Sequence, residues 1–489
     1  MNKLFIVSFV LMLFSACVLE KKEEVSKNDY LVLASKAIQE DVEWMKVVQA
    51  LRERHQAEVL FYEKAPGELL NQLKEVKPRY VGIVEKPENL DRDYVIDLNL
   101  FSRELDEDIY ADFLWGIITG YDAAGAMKML ENSREPLVIK SAFASIAELN
   151  SAKWFDRFAW WDDQTPWIYG EKKGVGERVR IGRINDEESA LKKVSELYQT
   201  YDPDLVITAW HATERDILFR YTAGNLYPKD GELHALYQRN GTSWVWPESG
   251  KRKVYFAVGN CLIGNVNNTN ESMAIAWMNG SHAATMVGYV VTTWHGRNGW
   301  GGLKYWLANS GRYTLAEAIY LNQQDFLHQQ YEWYPALIKE KYPTFGEDEF
   351  QKAHNRLSEV IKEEITNDHI GFWHDRDVVA YYGDPKWNVR LQNLPDDQDF
   401  TVTTKVKGKK CIVTIQTKEN FNLIRMQGGK FKEEHVLNLP FNYFFPERLN
   451  NPRLAAGQDW KVAVDENFLL IYNADFKPNM TYKIVLDID

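Results

Sequence analysis

The chain has 489 residues, with 58 Lys and Arg against 70 Asp and Glu, so its formal net charge is -12. This length exceeds one ordinary hydrophobic core, and two or three domains are expected. Hydrophobic residues make up 45% of the chain and charged residues 26%, which excludes a largely disordered protein. The acidic balance also argues against nucleic acid as a partner, because proteins that bind nucleic acid present a basic face.

The amino terminus is typical of an exported bacterial lipoprotein. Lys3 precedes an apolar run, Leu4–Phe14, that is too short to span a bilayer and fits the core of a signal peptide. Small residues then lead into Cys17, as in a bacterial lipobox, so we expect cleavage before Cys17 and acylation of its thiol. Residues 1–17 are predicted to be a lipoprotein signal peptide and residues 18–28 a polar tether to the lipid bilayer of the cell envelope, on the periplasmic or surface face of the outer membrane. The alternative is an ordinary secretory signal that is removed together with Cys17.

Short apolar runs predict the strands of an α/β domain over residues 29–391. These runs are Tyr30–Leu33, Val59–Tyr62, Tyr80–Val84 and Leu137–Ile139. Between the first two, apolar residues recur at helical spacing at Ile38, Val42, Met45, Val48 and Leu51. Strand–helix–strand order with continuous apolar strands is typical of a doubly wound, mostly parallel sheet covered on both faces. We expect two subdomains, residues 29–150 and 151–391.

A second unit continues this domain. Val179–Ile184 is predicted to be a strand, and Asn185 is expected to start a helix with Glu188 as its capping-box partner and an end near Gln199. Later elements are predicted as helices over residues 315–337 and 347–365 and a last strand at Val378–Tyr382.

Three apolar runs in this unit end at or near a candidate reactive residue. The runs are Leu205–Trp210, Val254–Val258 and Met286–Thr293. The first is followed by His211, the second by Cys261 and the third by His295. Because ligands and catalytic groups gather at the carboxyl ends of parallel strands, these three residues are candidates for one shared site.

A thiol and an imidazole together supply what a cysteine nucleophile requires. The reacting form is the thiolate, and a nearby histidine both lowers the pKa of a thiol and carries its proton. Neighbouring strands that end in His211 and Cys261 bring the two groups together without special loops. Backbone N–H groups at such strand ends can form an oxyanion hole. A helix is expected to begin near Glu271, and its amino-terminal dipole favours a thiolate if it points inward.

Four short segments, in this order along the chain, resemble the gingipain family of cysteine peptidases. They are Gly182-Arg183-Ile184, Trp210-His211-Ala212, Gly259-Asn260-Cys261 and Gly383-Asp384-Pro385. In that family the corresponding segments are a strand end before a helix, the strand ends that carry the catalytic histidine and cysteine, and a late Gly-Asp-Pro. His211 and Cys261 are 50 residues apart, and caspases show a similar spacing of about 50 residues. The likeness covers roughly residues 180–390.

The resemblance implies a caspase- and gingipain-like fold and a cysteine endopeptidase that acts on peptides or proteins. Cys261 and His211 would be its catalytic residues, and the backbone N–H groups of Cys261 and Ala212 would form the oxyanion hole. The segment Thr293, Trp294 and His295 would flank the substrate pocket. The family implies no required cofactor, and a structural calcium ion is implied by the resemblance only.

Two alternatives stay open. His295 with Gly296 forms a His-Gly pair and rivals His211 as the base, although it follows the cysteine whereas the family has its histidine first. Ala212 and Asn260 stand where the family usually has glycine and a small residue, so the chain is alternatively a catalytically inactive surface lipoprotein that binds peptide or glycan. A dense aromatic cluster either packs between subdomains or lines a groove for such a ligand; it comprises Trp154, Phe155, Phe158, Trp160, Trp161 and Trp167.

Residues 396–489 are predicted to form a small immunoglobulin-like β-sandwich. Short runs of alternating apolar and polar residues in this tail are typical of strands with one buried face. Cys411 shares its strand face with Val413 and Ile415, so it is expected to be a buried small hydrophobic residue. A disulfide with Cys261 is not expected, because the two cysteines lie in different predicted domains.

Overall fold

The computed structural model describes residues 29–145, 149–247, 250–395, 398–429 and 438–489, without the side chains of residues 149–151. The predicted signal peptide, its Cys17 and the tether lie outside these described residues. Within the described ranges, no helix has both the length and the apolarity that crossing a bilayer requires.

The strands and helices are as follows. Up to His211 the strands are β1 (Tyr30–Ser35), β2 (Glu58–Tyr62), β3 (Tyr80–Val84), β4 (Leu114–Ile118), β5 (Leu137–Ile139), β6 (Ser141–Ser145), β7 (Arg157–Trp161), β8 (Ile168–Lys172), β9 (Arg180–Arg183) and β10 (Leu205–Thr208). The strands that follow are β11 (Ile217–Phe219), β12 (Gly224–Lys229), β13 (Glu232–Tyr237), β14 (Thr242–Val245), β15 (Lys253–Ala257), β16 (Ala283–Tyr289), β17 (Val379–Tyr382) and β18 (Val389–Leu391). The tail contains β19 (Phe400–Lys407), β20 (Lys410–Thr417), β21 (Phe441–Phe444), β22 (Arg453–Leu454), β23 (Val462–Asp465), β24 (Phe468–Ile471) and β25 (Thr481–Asp487). The α-helices are α1 (Lys36–Gln39), α2 (Val42–His55), α3 (Leu70–Val76), α4 (Arg92–Phe101), α5 (Ala123–Asn132), α6 (Glu188–Tyr201), α7 (Met273–Asn279), α8 (Arg297–Ala308), α9 (Leu315–Trp333), α10 (Glu349–Ser358), α11 (Asn367–Asp375) and α12 (Leu423–Met426).

A large central sheet organises the α/β part. In the described chain it has twelve strands, in the order β2-β1-β3-β4-β17-β16-β15-β10-β6-β7-β8-β9. Neighbouring strands are parallel except at β16–β17, β7–β8 and β8–β9, which are antiparallel. Strand β17 is parallel to β4 and antiparallel to β16, so the strand direction reverses between β17 and β16. The predicted α/β fold with a mostly parallel sheet is confirmed.

Continuous apolar strands form this sheet because both of its faces are covered. All six residues of β1 and all five of β3 and β15 are buried. Helices such as α2, α7 and α8 pack against the strands. Parallel strands covered in this way bury apolar side chains on both faces, which explains why the runs are unbroken in the sequence. The central sheet takes its strands from residues 30–382, and the division of residues 29–391 into two subdomains stays a prediction.

Two elements predicted from local sequence patterns differ from those in the structure. The run Leu137–Ile139 forms a strand, but that strand pairs with β18 outside the central sheet. The capping box predicted for Asn185 and Glu188 is wrong, because α6 begins only at Glu188, and the Ser189 N–H donates to the Asp186 carboxylate at 2.8 Å.

An antiparallel sheet of β11, β12, β13 and β14 is inserted between His211 and β15, and it was not predicted from the sequence. Its central hairpin turns at Asp230 and Gly231, whose φ angles are 52° and 74°. Two central residues with positive φ are typical of the type I′ turn that joins antiparallel strands, and Asp-Gly is a favoured sequence for it. This dipeptide was therefore an available signal for the hairpin.

The carboxyl-terminal tail contains two antiparallel sheets, β19-β20-β25-β22 and β21-β24-β23, as predicted. Cys411, Val413 and Ile415 are fully buried on one face of β20. Both described cysteines, Cys261 and Cys411, are free thiols, in agreement with the expectation that no disulfide joins them.

The tail also packs directly on the α/β part. Its residues Leu439, Phe444, Ala463, Phe468 and Leu470 belong to the same hydrophobic core as the central sheet. Arg79, next to β3, donates hydrogen bonds to the carbonyl oxygens of Phe445 and Pro446. The tail and the α/β part therefore share a core across their junction.

The aromatic cluster is largely interior. Trp154, Phe155, Phe158, Trp160 and Trp161 are buried, and Trp167 is half-buried. The indole N–H groups of Trp161 and Trp167 donate to backbone carbonyls of Arg220 and Tyr221. Packing between elements, rather than an open ligand groove, explains these aromatic residues.

Candidate active site

Three neighbouring strands deliver the candidate reactive loops to one edge of the sheet. The strands β10 and β15 are parallel, with Thr208 opposite Ala257 at their ends. The strand β16 is parallel to β15 on its other side. The segments that contain His211, Cys261 and Thr293 follow these three strands, so all three segments leave the sheet at the same edge.

Asn260 ties the ends of β10 and β15 together. Its side chain is fully buried, and its Nδ2 donates to the carbonyl oxygen of Trp210 at 2.8 Å. Its Oδ1 accepts a hydrogen bond from Thr208 Oγ1 at 2.6 Å. The residue before Cys261 is therefore bonded to the residue before His211. These hydrogen bonds account for an asparagine where the gingipain resemblance implies a small residue, and no local sequence pattern indicates this role.

The Cys261 thiol is half-buried against the end of β16. The backbone N–H of Thr293 donates to Sγ at 3.3 Å, and Sγ lies 3.9 Å from the Thr293 carbonyl oxygen. The hydroxyl of Thr293 donates to the Asn260 carbonyl oxygen at 3.1 Å. Thr293, predicted to flank the substrate pocket, thus holds the position of the sulfur.

The turn after Cys261 has an uncommon backbone conformation. Leu262 has a φ angle of 57°, in the left-handed region, which costs about 1–2 kcal/mol for a residue with a Cβ. The turn is held by the Leu262 N–H, which donates to the Val291 carbonyl oxygen at 2.9 Å. A Cβ added to Gly264 would lie 2.4 Å from the Gly288 carbonyl oxygen, so the chain passes too close to β16 for a side chain there. Strained residues of this kind concentrate at functional sites.

His211 lies on an anchored backbone with an exposed ring. Its carbonyl oxygen accepts the Leu218 N–H at 2.9 Å, and the Thr213 N–H donates to the Asp216 carbonyl oxygen at 2.9 Å. The two bonds flank Ala212 and Ile217, which face each other as an antiparallel pair. The Ala212 N–H takes no part in this pairing. In the described part of the chain, no hydrogen bond joins the His211 ring to Cys261 Sγ. The catalytic pairing of these two side chains stays a prediction.

The acidic residues after His211 accept hydrogen bonds from loop residues other than His211. The Asp216 carboxylate accepts the Thr213 hydroxyl at 2.7 Å. The Glu214 carboxylate lies 3.4 Å from Asn267 Nδ2. Both contacts are made within the loops at this edge of the sheet.

Comparison with known proteins finds only distant structural likeness. No protein-family profile and no curated protein matches the chain. The fold is similar to that in the crystal structure of the Arg-specific cysteine proteinase gingipain R, with a TM-score of 0.43 and 10% identity over 95% of this chain and 93% of that chain. It is also similar to a structure described only as a protease, with a TM-score of 0.38 and 8% identity over 80% of this chain and 85% of that one. At such values no residue role can be transferred, so the roles of individual residues depend on the geometry of this chain.

The four segments that resemble the gingipain family do not converge on one site. The segments that contain His211 and Cys261 lie together, as described above. Gly182-Arg183-Ile184 lies at the end of β9, the edge strand of the sheet, four strands from β10. Asp384 lies beside β1 and α2, where it accepts hydrogen bonds from Tyr30 and His55 at 3.0 and 2.7 Å. The structure therefore gives the Gly-Asp-Pro segment a role in the core of the fold.

The remaining predicted pocket residues follow Thr293. Trp294 is 56% exposed, its indole N–H donates to the Glu349 carboxylate, and its ring meets the Phe350 ring at 5.7 Å between centroids. The half-buried ring of His295 packs against the rings of Phe350 and His374 at 6.1 and 5.8 Å between centroids. An exposed aromatic side chain, that of Trp294, thus directly follows Thr293, whose backbone contacts the sulfur.

Proposed function

We propose that the chain is a lipid-anchored cysteine endopeptidase with Cys261 as nucleophile and His211 as general base and acid. The observation that carries this proposal is the pair of hydrogen bonds that the Asn260 side chain makes to Thr208 and Trp210, here called the Asn260 bridge. It links the two adjacent strand ends that are followed by the thiol and the imidazole. Such fixed placement is what converts two separate groups into a reacting pair.

The chemistry follows acyl transfer. His211 takes the Sγ proton of Cys261 while the sulfur forms a bond to the scissile carbonyl carbon, and the carbonyl oxygen becomes an oxyanion. The N–H groups of Ala212 and Cys261 are the proposed donors to that oxyanion, and Ala212 has its N–H unused by the pairing with Ile217. The C–N bond then breaks as His211 returns the proton to the leaving amine. Water, deprotonated by His211, hydrolyses the thioester and releases the second product with the free thiol.

The proposal predicts selective covalent labelling of Cys261. The full-length chain is incubated with a peptidyl acyloxymethyl ketone, and the adduct is located by peptide mass spectrometry. We expect an adduct on Cys261, complete loss of it in Cys261→Ala, and unchanged labelling in the matched control Cys411→Ala. Burial raises the pKa of the Cys411 thiol, which makes that residue inert. Equal labelling of wild type and Cys261→Ala would sink the assignment.

A non-catalytic binding protein is the second candidate, favoured by the exposed His211 ring, which makes no hydrogen bond to the sulfur in the described chain. A peptide-library digest under reducing conditions separates the two candidates. Cleavage products that are absent with Cys261→Ala support the peptidase. Peptide binding without cleavage supports the binding protein.

The lipid anchor is a separate part of the proposal, supported by the position of Cys17 after its apolar run. Replacing the acylated residue removes the hydrophobic anchor, so Cys17→Ser is expected to move the protein from the membrane fraction to the soluble fraction of the expressing bacterium. Immunoblotting of the two fractions measures this, with Cys411→Ala as the control that stays in the membrane. Membrane association of Cys17→Ser equal to that of wild type would contradict the anchor.

A further inference from the structure

A cleft with a volume of about 500 Å³ lies at the junction between the carboxyl-terminal tail and the α/β part, far along the chain from Cys261. Its walls include Arg79 next to β3, Arg312 just before α9, Arg390 on β18 and, from the tail, Phe400 and Phe444. Ligand sites are typically clefts of this size and occur preferentially between structural units. The cleft is therefore a candidate binding site.

The side chains that line the cleft carry an excess of positive charge. Among the described residues of its walls are three guanidinium groups and one carboxylate, that of Glu317. Arg390 pairs with Glu317 at 3.6 Å. Arg79 donates hydrogen bonds to two carbonyl oxygens of the tail, and Arg312 donates to that of Phe400 at 3.0 Å. A carbonyl oxygen positions a guanidinium without neutralising its charge.

Two carboxylates that adjoin the lining segments do not cancel this excess. Asp29 precedes β1 and pairs with Lys386 at 2.6 Å. Asp399 lies next to Phe400 and pairs with Arg425. Each of these ion pairs is neutral as a pair, so the positive charge within the cleft stays unbalanced.

One donor in the wall of the cleft also lacks an acceptor. Arg79 is 7% exposed, and its guanidinium lies over the Phe444 ring, with Cζ 4.2 Å from the ring centroid. The two Nη atoms donate to the tail, whereas the buried Nε has no hydrogen-bond partner among the described residues. A buried donor without an acceptor is costly, and native proteins rarely leave one. A bound acceptor in the cleft would satisfy it.

The charge and the donors together favour a phosphate group. A guanidinium presents its N–H donors in a planar fork that matches the oxygens of phosphate and of carboxylate. A phosphate monoester carries about −1.5 to −2 charges at pH 7, whereas a carboxylate carries only one, so phosphate better balances three arginines and one glutamate. We propose that the cleft binds a phosphate monoester group, with Arg79, Arg312 and Arg390 as its donors.

The phosphate group can belong to a lipid headgroup or to a soluble phosphate ester, and the position of the cleft allows both. The Asp29 carbonyl oxygen accepts the backbone N–H groups of Arg79 and Tyr80 at 3.1 and 2.9 Å, so the chain enters the described structure beside the cleft. Asp29 lies twelve positions after Cys17, a stretch of at most about 40 Å when extended. With the anchor proposed above, the cleft stays within that distance of the bilayer.

Equilibrium dialysis of the full-length chain in phosphatidylcholine nanodiscs against labelled inorganic phosphate tests the site without any measurement of activity. We expect saturable binding of one phosphate per chain at low ionic strength. Arg312→Gln is expected to weaken it by about tenfold or more, because one charged donor is lost. Arg453→Gln, which changes an exposed arginine of the tail outside the cleft, is the matched control and should bind like wild type. Cys261→Ala should also bind like wild type, which separates this site from the proposed peptidase.

A second variant is expected to bind more tightly, a result that misfolding cannot produce. Glu317→Gln removes the carboxylate from the cleft but keeps an oxygen for the Thr314 N–H, which Glu317 accepts at 2.8 Å. Its affinity for phosphate should rise by about fivefold, the effect of one unit charge at about 4 Å in water. This measurement decides the question even if Arg312→Gln does not fold.

Two lipid mixtures distinguish the sources of the phosphate group. Phosphatidic acid in the nanodiscs offers a monoester headgroup, whereas oleic acid supplies negative charge without phosphate. Loss of labelled phosphate with phosphatidic acid but not with oleic acid identifies a lipid headgroup. Retention in both mixtures, with displacement by dissolved glycerol 3-phosphate, identifies a soluble ester. The proposal is overturned if wild type shows no saturable phosphate binding, or if Arg312→Gln and Glu317→Gln both bind phosphate as wild type does.

Discussion

His211→Ala is expected to lower kcat/KM for peptide cleavage by roughly 10³–10⁴-fold, whereas His295→Ala is expected to lower it by no more than about tenfold. In the proposed mechanism, loss of His211 removes the base that takes the proton of the sulfur and the acid that protonates the leaving amine. His295 instead packs against Phe350 and His374 and is predicted to border the substrate pocket, so its loss should act mainly on KM. Initial rates on a peptide substrate identified by library digestion measure both effects.

Controls separate a loss of chemistry from a loss of folding. His211 is exposed, so its removal should change the free energy of unfolding by about 0.5 kcal/mol or less. Added imidazole should restore part of the activity of His211→Ala, because the missing group is a proton acceptor at an exposed position. If His295→Ala loses the larger factor, or if imidazole rescues His295→Ala instead, His295 is the base and the assignment of His211 is wrong.

Asp384→Ala is expected to destabilise the chain by about 3–5 kcal/mol, the effect of removing one partner from a buried charged network. The carboxylate is 1% exposed and accepts hydrogen bonds from Tyr30, His55 and Arg54 at 3.0, 2.7 and 3.2 Å. Its loss leaves the buried Tyr30 hydroxyl and the Arg54 guanidinium without this acceptor. Urea unfolding, followed by tryptophan fluorescence, measures the change.

Asp384→Asn and the pH dependence of stability serve as controls. Asn retains an acceptor for the Tyr30 hydroxyl but removes the charge that faces Arg54, so a smaller loss is expected than with Asp384→Ala. Although burial raises the pKa of the Asp384 carboxyl, the hydrogen bond and charge of His55 and the charge of Arg54 outweigh it and hold this pKa below its ordinary value. The network therefore stabilises wild type above the unfolded pKa of about 4, and this stability is lost as the pH falls through the lower folded pKa. Full stability with abolished peptide cleavage in Asp384→Ala would instead place Asp384 in the catalytic machinery.

Local patterns predicted the elements well wherever one strand or helix face decides the structure. Cys411 alternates with Val413 and Ile415, and all three are buried on one side of β20, because side chains alternate across a strand. The strand β5 shows the limit of such patterns. Its apolar residues predict a strand, but pairing with β18 rather than with the central sheet depends on residues about 250 positions away. No local period carries that information.

The same limit applies to the candidate site. The positions of His211 and Cys261 after apolar runs predicted that both follow strands, and the structure confirms that these strands are adjacent and parallel. The orientation of the His211 ring and the Asn260 bridge depend on packing among three strand ends, which one sequence does not specify. Asn260 looked like a departure from a pattern and is a buried link between two loops.

The sequence by itself determined that the long apolar runs become strands, that the main sheet is mostly parallel, and that a β-rich tail follows, because these depend on hydrophobic periodicity and chain order. It did not predict the inserted sheet of β11, β12, β13 and β14. Only the tertiary structure decided which distant residues meet. Asp384 with Tyr30, and Asp112 with Glu466, come from opposite ends of the chain and meet because the sheet order and the docking of the tail bring them together. Long-range pairing depends on the summed burial of many side chains, so no single motif records it.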